Sequence, residues 1–322
     1  MRFSVAVAAR EDGSPPQDVL TMASLAGRLG YGELWVADNP TWDVFALAAV
    51  IGREASQLPI TAGPIPVSVR DPASIARGAA SVAALAGRPA GVALGTSSTR
   101  MVEGFHGRSR SGAAAQLAAS ARAIRPLITG ERAEPGEEIV PPQGFGWRLG
   151  PARGPLTIAA FGDKAVAAAA RYGDRMLLDM VSPEQAATLR AKLDAAARDA
   201  GRTPPPLAAW LPAAVDPGAE ALGQIRQSIA GYLTVRGYGE MIAAAGFGAA
   251  VEMARAGEER GKVLTALPPA AAGAVGLVGD IAAVRKRIGE YAAAGLDEIA
   301  LVPATAGDRA GERTLAALAP SA

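Results

Sequence analysis

The chain contains no cysteine, which rules out disulfides, thiolate metal sites and a cysteine nucleophile. It has one histidine, His106, so zinc or iron sites built on several imidazoles and mechanisms using a histidine pair are ruled out as well. Aromatic residues make up only 5% of the sequence while alanine is abundant, which predicts a core of small side chains and close helix contacts. Charge of either sign is not in excess: 32 Lys and Arg face 31 Asp and Glu, a net +1. That balance leaves no basic footprint for nucleic acid and no acidic tail. No strongly apolar run reaches the roughly 18 residues of a membrane span, because Arg, Asp and Glu break the alanine stretches. The opening "MRFSVAVAAR" turns polar too soon for a signal peptide. These absences predict a soluble cytoplasmic protein, with no nucleic acid, no membrane and no metal.

What is present is a rhythm. Short apolar runs alternate with helical patterns: "RFSVAVA", "GELWVAD", "ITAGPIPV", "AGVALG", "LTIAAF", "RMLLDMV", "LAAWLPAAV" and "EIALVP" read as strands. Helices are predicted from about Pro15 to a left-handed Gly30, from Asp43, from Pro72, over about 111–129, from Asp163, from Pro183 and from Asp280, with a short one at the end. The helix after Pro72 places Ile75, Ala79, Val82 and Leu85 on one face, the spacing of a helix lying on a sheet. The strands lack polar alternation, as parallel strands buried on both faces do.

Eight strand-helix units with short connections favour an α/β fold of the (β/α)8 TIM barrel type with insertions, one domain spanning residues 1–322. The insertions fall at about 131–155, where "QGFGWRLG" has the look of a small hairpin, and at 217–278, a mostly helical stretch longer than one crossover needs. An open doubly wound sheet is the competing architecture, but "AVAAREDGS" after the first strand is not the G-x-G-x-x-G turn it ordinarily shows.

A barrel carries its site where strands end. Those positions are Ala8 to Arg10, Asp38 to Trp42, Gly63 to Arg70, Gly95 to Ser98, Phe161 to Asp163, Asp179 to Ser182, Trp210 to Pro212, and Pro303. "LGTSS" offers Gly95 for close backbone approach and Thr96, Ser97 and Ser98 as donors; "AAFGD" puts Phe161 and Gly162 at the mouth of a helix N-terminus. Each alone is an ordinary polar turn or cap; on adjacent strands the two would face one anion. Asp38 and Asn39 in "ADNPTW" are either site groups or caps. Two prolines in "AGPIPV" remove ladder donors, and the Gly63–Pro64 bond can be cis at modest cost. The weak candidates for a catalytic role are Asn39 and His106; the latter is equally suited to packing in its loop. Glu103, Asp179 and Glu298 form no recognisable acid pair, and "GTSST" is no nucleophile elbow. Such sparse chemistry argues that a bound organic cofactor carries the reaction.

On "YGELWVAD", "GPIPVSVRDPASIARGAASV", "VALGTSSTRMVEGFHG", "IAAFGDKAVAAAARYGDRMLLDMV" and "VGDIAAVRKRIGEYAAAGLDEIALVP", in that order, the chain resembles the luciferase-like (bacterial luciferase superfamily) oxidoreductases, and most closely their coenzyme F420-dependent branch. The resemblance implies a deazaflavin across the barrel mouth, with Thr96, Ser97, Ser98 and Gly162 near its phosphate and Asp38 and Asn39 near its ring. It also implies a cis peptide bulge at Gly63–Pro64 behind the ring. Two departures stand out: Asn39 occupies the place of a histidine base in the sugar-phosphate dehydrogenase branch, and Ser182 stands where that branch has a lysine. The implied function is hydride transfer between the deazaflavin and an organic substrate, with reduction of an activated C=C or C=N bond favoured over alcohol oxidation. The alternatives are an FMN-dependent luciferase-like monooxygenase and a non-catalytic cofactor-binding barrel. A homodimer is expected on the family resemblance and on the frequency of such assemblies. Trp42, Trp147, Trp210 and Tyr232 are candidates for the substrate wall.

Overall fold

Nine parallel strands organise the computed structural model: β1 (Arg2–Val7), β2 (Leu34–Val36), β3 (Ile60–Pro66), β4 (Ala90–Gly95), β5 (Arg153–Ala159), β6 (Arg175–Asp179), β7 (Leu207–Val215), β8 (Leu277–Gly279) and β9 (Glu298–Pro303). The structure describes residues 1–7, 15–55, 57–131 and 148–320. Seven neighbouring pairings run from β1 through β6 to β7 and on to β9, and β9 returns to β1, closing an eight-stranded barrel. The expected hairpin in "QGFGWRLG" and most of the 131–155 insertion lie outside the described residues, as do Ala8 to Arg10 and Trp147.

The helices begin where local chemistry starts them. They are α1 (Pro16–Arg28), α2 (Val44–Val50), α3 (Pro72–Ala86), α4 (Ala113–Thr129), α5 (Asp163–Tyr172), α6 (Pro183–Asp199), α7 (Ala219–Ala230), α8 (Tyr238–Ile242), α9 (Gly248–Arg255), α10 (Arg260–Ala266), α11 (Ala270–Ala274), α12 (Ile281–Ala293) and α13 (Glu312–Ala317). Asp43, Asp71, Ser182 and Asp280 each accept a hydrogen bond from a first-turn amide of α2, α3, α6 and α12. On α3, Ile75, Ala79 and Val82 are buried against the barrel, whereas Leu85 is exposed at the helix end.

The 217–278 stretch is helical as expected except at its close, where β8 forms. The register explains it. On one edge, β7 pairs with β6 only as far as Asp179↔Trp210. The continuing residues Ala213 to Val215 would leave ladder groups unpaired on that edge, and Leu277 to Gly279 pair with them.

Inside the barrel, alternate residues build layers. At the N-terminal floor the Arg175 guanidinium donates to Glu33 Oε2 (2.6 Å), Glu298 Oε2 (2.8 Å) and Thr157 Oγ1 (3.2 Å), and lies over the Trp35 ring at 4.0 Å. Ser4 Oγ donates to Glu298 Oε1 at 2.6 Å, and Trp35 Nε1 donates to Ser4 Oγ and Glu298 Oε1. Above it the lumen narrows to small residues such as Ala6, Ala93, Ala208 and Ala300, which leaves room for Trp35 and Trp210 to meet edge to face at 6.0 Å.

Candidate functional site

The C-terminal mouth collects residues from every side of the barrel. From β2 comes Asp38, whose side chain is only 7% exposed; its Oδ1 lies 3.7 Å from Arg70 Nη2. The same Arg70 nitrogen donates to Asp43 Oδ2 at 2.7 Å, the cap of α2. Burial pushes the Asp38 carboxyl up to about 6; Arg70 pulls the other way, and the nearby Asp43 charge adds to the rise. Asn39 is committed locally: its Oδ1 accepts from the amides of Thr41 (2.9 Å) and Trp42 (3.0 Å), holding the turn that leads into α2.

From β3 comes the Gly63–Pro64 bond, which is cis, at a register irregularity between Ala62 and Ile65. Gly63 has φ +118°, and a Cβ there would overlap the Ala93 carbonyl oxygen, so only glycine fits. Gly95 at the end of β4 lies close to Pro64: a Cβ on it would sit 3.2 Å from the Pro64 Cβ.

The loop after β4 is braced by a residue that sequence reasoning missed. Arg110 Nε donates to the Ser97 carbonyl at 2.8 Å, and its Nη2 donates to Thr96 Oγ1 at 3.2 Å. Ser97 takes φ +53°, and Ser98 Oγ accepts from the Met101 amide at 3.3 Å to open a π-helical turn over Arg100–Phe105. The "RSRSG" stretch just past the turn carried the signal, but which arginine folds back onto the loop is a question of backbone path.

Next to it, α5 starts at Gly162 without a side-chain cap, and a Cβ added there would meet nothing within 4 Å. The first-turn amides of that helix are thus accessible to an anion. Phe161 stacks on Tyr238 at 4.8 Å, and Tyr238 meets Tyr232 at 4.9 Å. Gly237, at φ +91°, lets the Phe161 ring approach. Burial holds the Tyr238 phenol well above its ordinary value, reinforced by the charges of Asp179 and Tyr232.

The remaining expected residues divide. His106 closes the π-helical turn: its ring meets exposed Phe105 edge-on at 4.7 Å, and its amide donates to the Met101 carbonyl. Trp42 is half-buried against the outer core. Trp210 faces the barrel lumen rather than an outer wall, and it is 9% exposed. Its Nε1 is buried and has no hydrogen-bond partner among the described residues. Among those residues, no helix is long and apolar enough to cross a membrane.

The arrangement offers a ligand an apolar seat of small side chains above the charged floor, one neutral donor in that seat, a proton-holding carboxyl at one side and two amide-rich loops at another. It fits a flat ring carrying a phosphate. Comparison with known proteins agrees with the architecture. The model of the luciferase-like monooxygenase family matches residues 1–298. No curated protein matches the sequence. Among solved structures, the chain is similar to a coenzyme F420 dependent tetrahydromethanopterin reductase from Methanopyrus kandleri (16% identity, covering 99% of this chain and 98% of that one, TM-score 0.80). It is also similar to an F420-dependent secondary alcohol dehydrogenase in complex with an F420-acetone adduct (16% identity, 98% of each chain, TM-score 0.77). A third likeness is the oxygenating constituent of 3,6-diketocamphane monooxygenase from Pseudomonas putida in complex with FMN (14% identity, 99% and 96% coverage, TM-score 0.67).

Proposed function

The chain belongs to the luciferase-like monooxygenase family, and on that premise we propose that it is a coenzyme F420-dependent oxidoreductase acting on a small organic substrate. The deazaflavin, when bound, supplies a hydride donor or acceptor at its ring carbon C5. The observation that carries the reading is the pair of anion-receptive loops on adjacent strands: Thr96 to Ser98 braced by Arg110, and the uncapped start of α5 at Gly162. With a phosphate held there, Asp38 and Gly63–Pro64 would border the ring above the lumen.

The protein's own residues have three tasks. Arg110, Thr96, Ser97, Ser98 and Gly162 anchor the anionic end. Gly63, Pro64, Phe161 and the small lumen residues shape an apolar seat that excludes water from the reacting atoms. Asp38 holds a proton near pH 6 at its carboxyl, beside Arg70, and is the group at the mouth best suited to give one up. Asn39 takes no proton and spends its amide on the turn, so reduction of an activated C=C or C=N bond suits the site better than alcohol oxidation. A homodimer is part of the same reading, and light scattering at a mass twice that of the chain is the result expected.

The second reading, FMN with oxygen in a monooxygenase, draws support from the likeness to the FMN-bound camphane monooxygenase; the F420-dependent structures superpose more closely. Equilibrium titration with coenzyme F420 and with FMN separates them. Tighter binding of F420, with Kd below about 100 μM (about −5.5 kcal/mol) and turnover of an acceptor, is expected. Preference for FMN moves the assignment to the monooxygenase, F420 binding without hydride transfer to any acceptor moves it to a binding protein, and binding of neither overturns the reading.

A further inference from the structure

We propose that Trp210 is a ring-orienting residue of the cofactor site, its indole N–H donating a hydrogen bond to a carbonyl or ring-nitrogen acceptor on the pyrimidine edge of the bound flavin-type ring. This rests on the function proposed above. It goes further by assigning a donor and by stating which edge of the ring enters the barrel.

Two tryptophans share the lumen, and their indole nitrogens have opposite fates. Trp35 Nε1 reaches two acceptors, Ser4 Oγ at 3.0 Å and Glu298 Oε1 at 3.1 Å, in the satisfied network of the floor. Trp210 Nε1, one layer higher, is equally enclosed and has no partner among the described residues. Buried indole donors ordinarily find an acceptor, because leaving one unmade forfeits the hydrogen bond to water without replacement. Were the side chain present only to fill the alanine-lined lumen, phenylalanine or leucine would fill it without that loss.

Its height in the barrel says what the side chain borders. On β7, Trp210 is in register with Asp179, the last residue of β6, and with Ala300 of β9. It therefore stands at the level where β6 gives way to its loop, within the apolar seat that includes Ala37, Ala93, Ala159 and Val302. An indole N–H is a donor only and carries no charge. A phosphate has Arg110 and the start of α5 to go to; a neutral carbonyl entering an apolar seat is the acceptor that one fixed, uncharged donor suits. Flavin and deazaflavin both carry such carbonyls on the pyrimidine edge, so Trp210 fixes ring orientation for either and does not choose between them.

The test measures cofactor-free stability and affinity side by side. Wild type, Trp210→Phe and a variant with benzothienylalanine incorporated at position 210, which keeps the bicyclic shape without the N–H, are each titrated with coenzyme F420 and with FMN and melted without either. The expected result is a benzothienylalanine variant with an unchanged or raised Tm that binds the preferred cofactor about tenfold more weakly, about 1.4 kcal/mol. The Phe variant should lose at least as much affinity. Unchanged affinity in the benzothienylalanine variant overturns the inference and leaves the proposed function standing. A lowered Tm in that variant also overturns it, because the N–H is then bonded within the protein. Wild type that binds neither cofactor overturns the proposed function, and this inference with it.

Discussion

Asp38→Asn tests whether the fold holds a proton at the barrel mouth. The carboxyl is almost enclosed, its one cationic neighbour among the described residues stands 3.7 Å away, and that cation is shared with Asp43. Burial therefore wins, and the group rises from an ordinary 3.8 to about 6. A folded-state acid raised in this way binds its proton more tightly than the unfolded chain does. Its favourable contribution is fully present below about pH 4 and is lost as pH rises through about 6. At about 1.36 kcal/mol per pH unit, the rise corresponds to about 3 kcal/mol of stability missing at pH 8, roughly half of it lost between pH 5 and 8. Asparagine has nearly the same shape and no charge to desolvate. Urea unfolding of the cofactor-free protein from pH 4.5 to pH 8 should show wild type losing stability relative to Asp38→Asn as pH rises. The variant should be the more stable at pH 8 by an amount on the order of 2–3 kcal/mol. Taking the difference between the two proteins cancels titrating groups not coupled to Asp38, such as Asp71, whose hydrogen bonds in the first turn of α3 hold it low. Asp43, which shares Arg70 with Asp38, is itself held low by the α2 amides and Arg70 and so stays charged across this range. Parallel stability curves would falsify the claim that burial controls this carboxyl, and with it the assignment of Asp38 as the proton-holding group of the mouth.

Three further outcomes follow from the geometry. Gly63→Ala puts a Cβ into the Ala93 carbonyl at φ +118° and should cost at least about 3 kcal/mol, read by thermal melting; a loss under about 1 kcal/mol contradicts the close approach. Arg175→Met removes the buried cation between Glu33 and Glu298, leaving Glu298 the exposed Arg2 at 3.4 Å, and should cost about 3–5 kcal/mol by urea unfolding, whereas Glu33→Gln and Glu298→Gln in the same chain should recover much of it. Arg110→Gln and Gly162→Asp should each weaken cofactor binding about tenfold or more, the second by setting a carboxylate at the helix start, with Tm changed by only a few degrees. An unaltered Kd in both removes the two loops from the site.

The barrel was legible because its instructions are local. Asp43, Pro72, Pro183 and Asp280 announce helix starts by residue type, and there Asp43, Asp71, Ser182 and Asp280 each accept a first-turn amide. "AGPIPV" announced an irregular strand because proline cannot join a ladder, and the irregularity lies where Gly63 and Pro64 stand. What escaped depends on contacts far apart in sequence. Glu33, Arg175 and Glu298 each stand at or just before the start of a strand, where a charge ordinarily reads as a solvent-facing end; closure of the barrel turns all three inward onto one another. The strand at Leu277 to Gly279 exists because β7 outruns β6, a register fact no window of sequence contains. Arg110 was hidden similarly, since its role follows from the path of the chain back toward Ser97.

The two ends of the barrel handle buried polarity in opposite ways, and that asymmetry supports the site proposed above. At the floor, one guanidinium, two carboxylates, three hydroxyls and an indole satisfy one another, which is how a fold makes buried charge tolerable. At the mouth the same accounting is left open. Asp38 is enclosed with its cation at arm's length, Trp210 Nε1 is enclosed with no partner among the described residues, and α5 starts without a side-chain cap. Of the five described non-glycine residues with positive φ, Ser97, Met180 and Asp216 stand just past strand ends, at 53°, 45° and 47°, while Arg153 opens β5 and Ala310 precedes α13. Arg287 Nε on α12 is a second buried donor with no partner among the described residues. Sequences specify folds by agreement among local rules, and departures from those rules gather where something other than folding is being served. Most of those named here stand at the end of the barrel where we propose that the loops hold an anion, and on that reading a ring carrying its own phosphate and carbonyls would supply an acceptor to Trp210 and an anion to the start of α5.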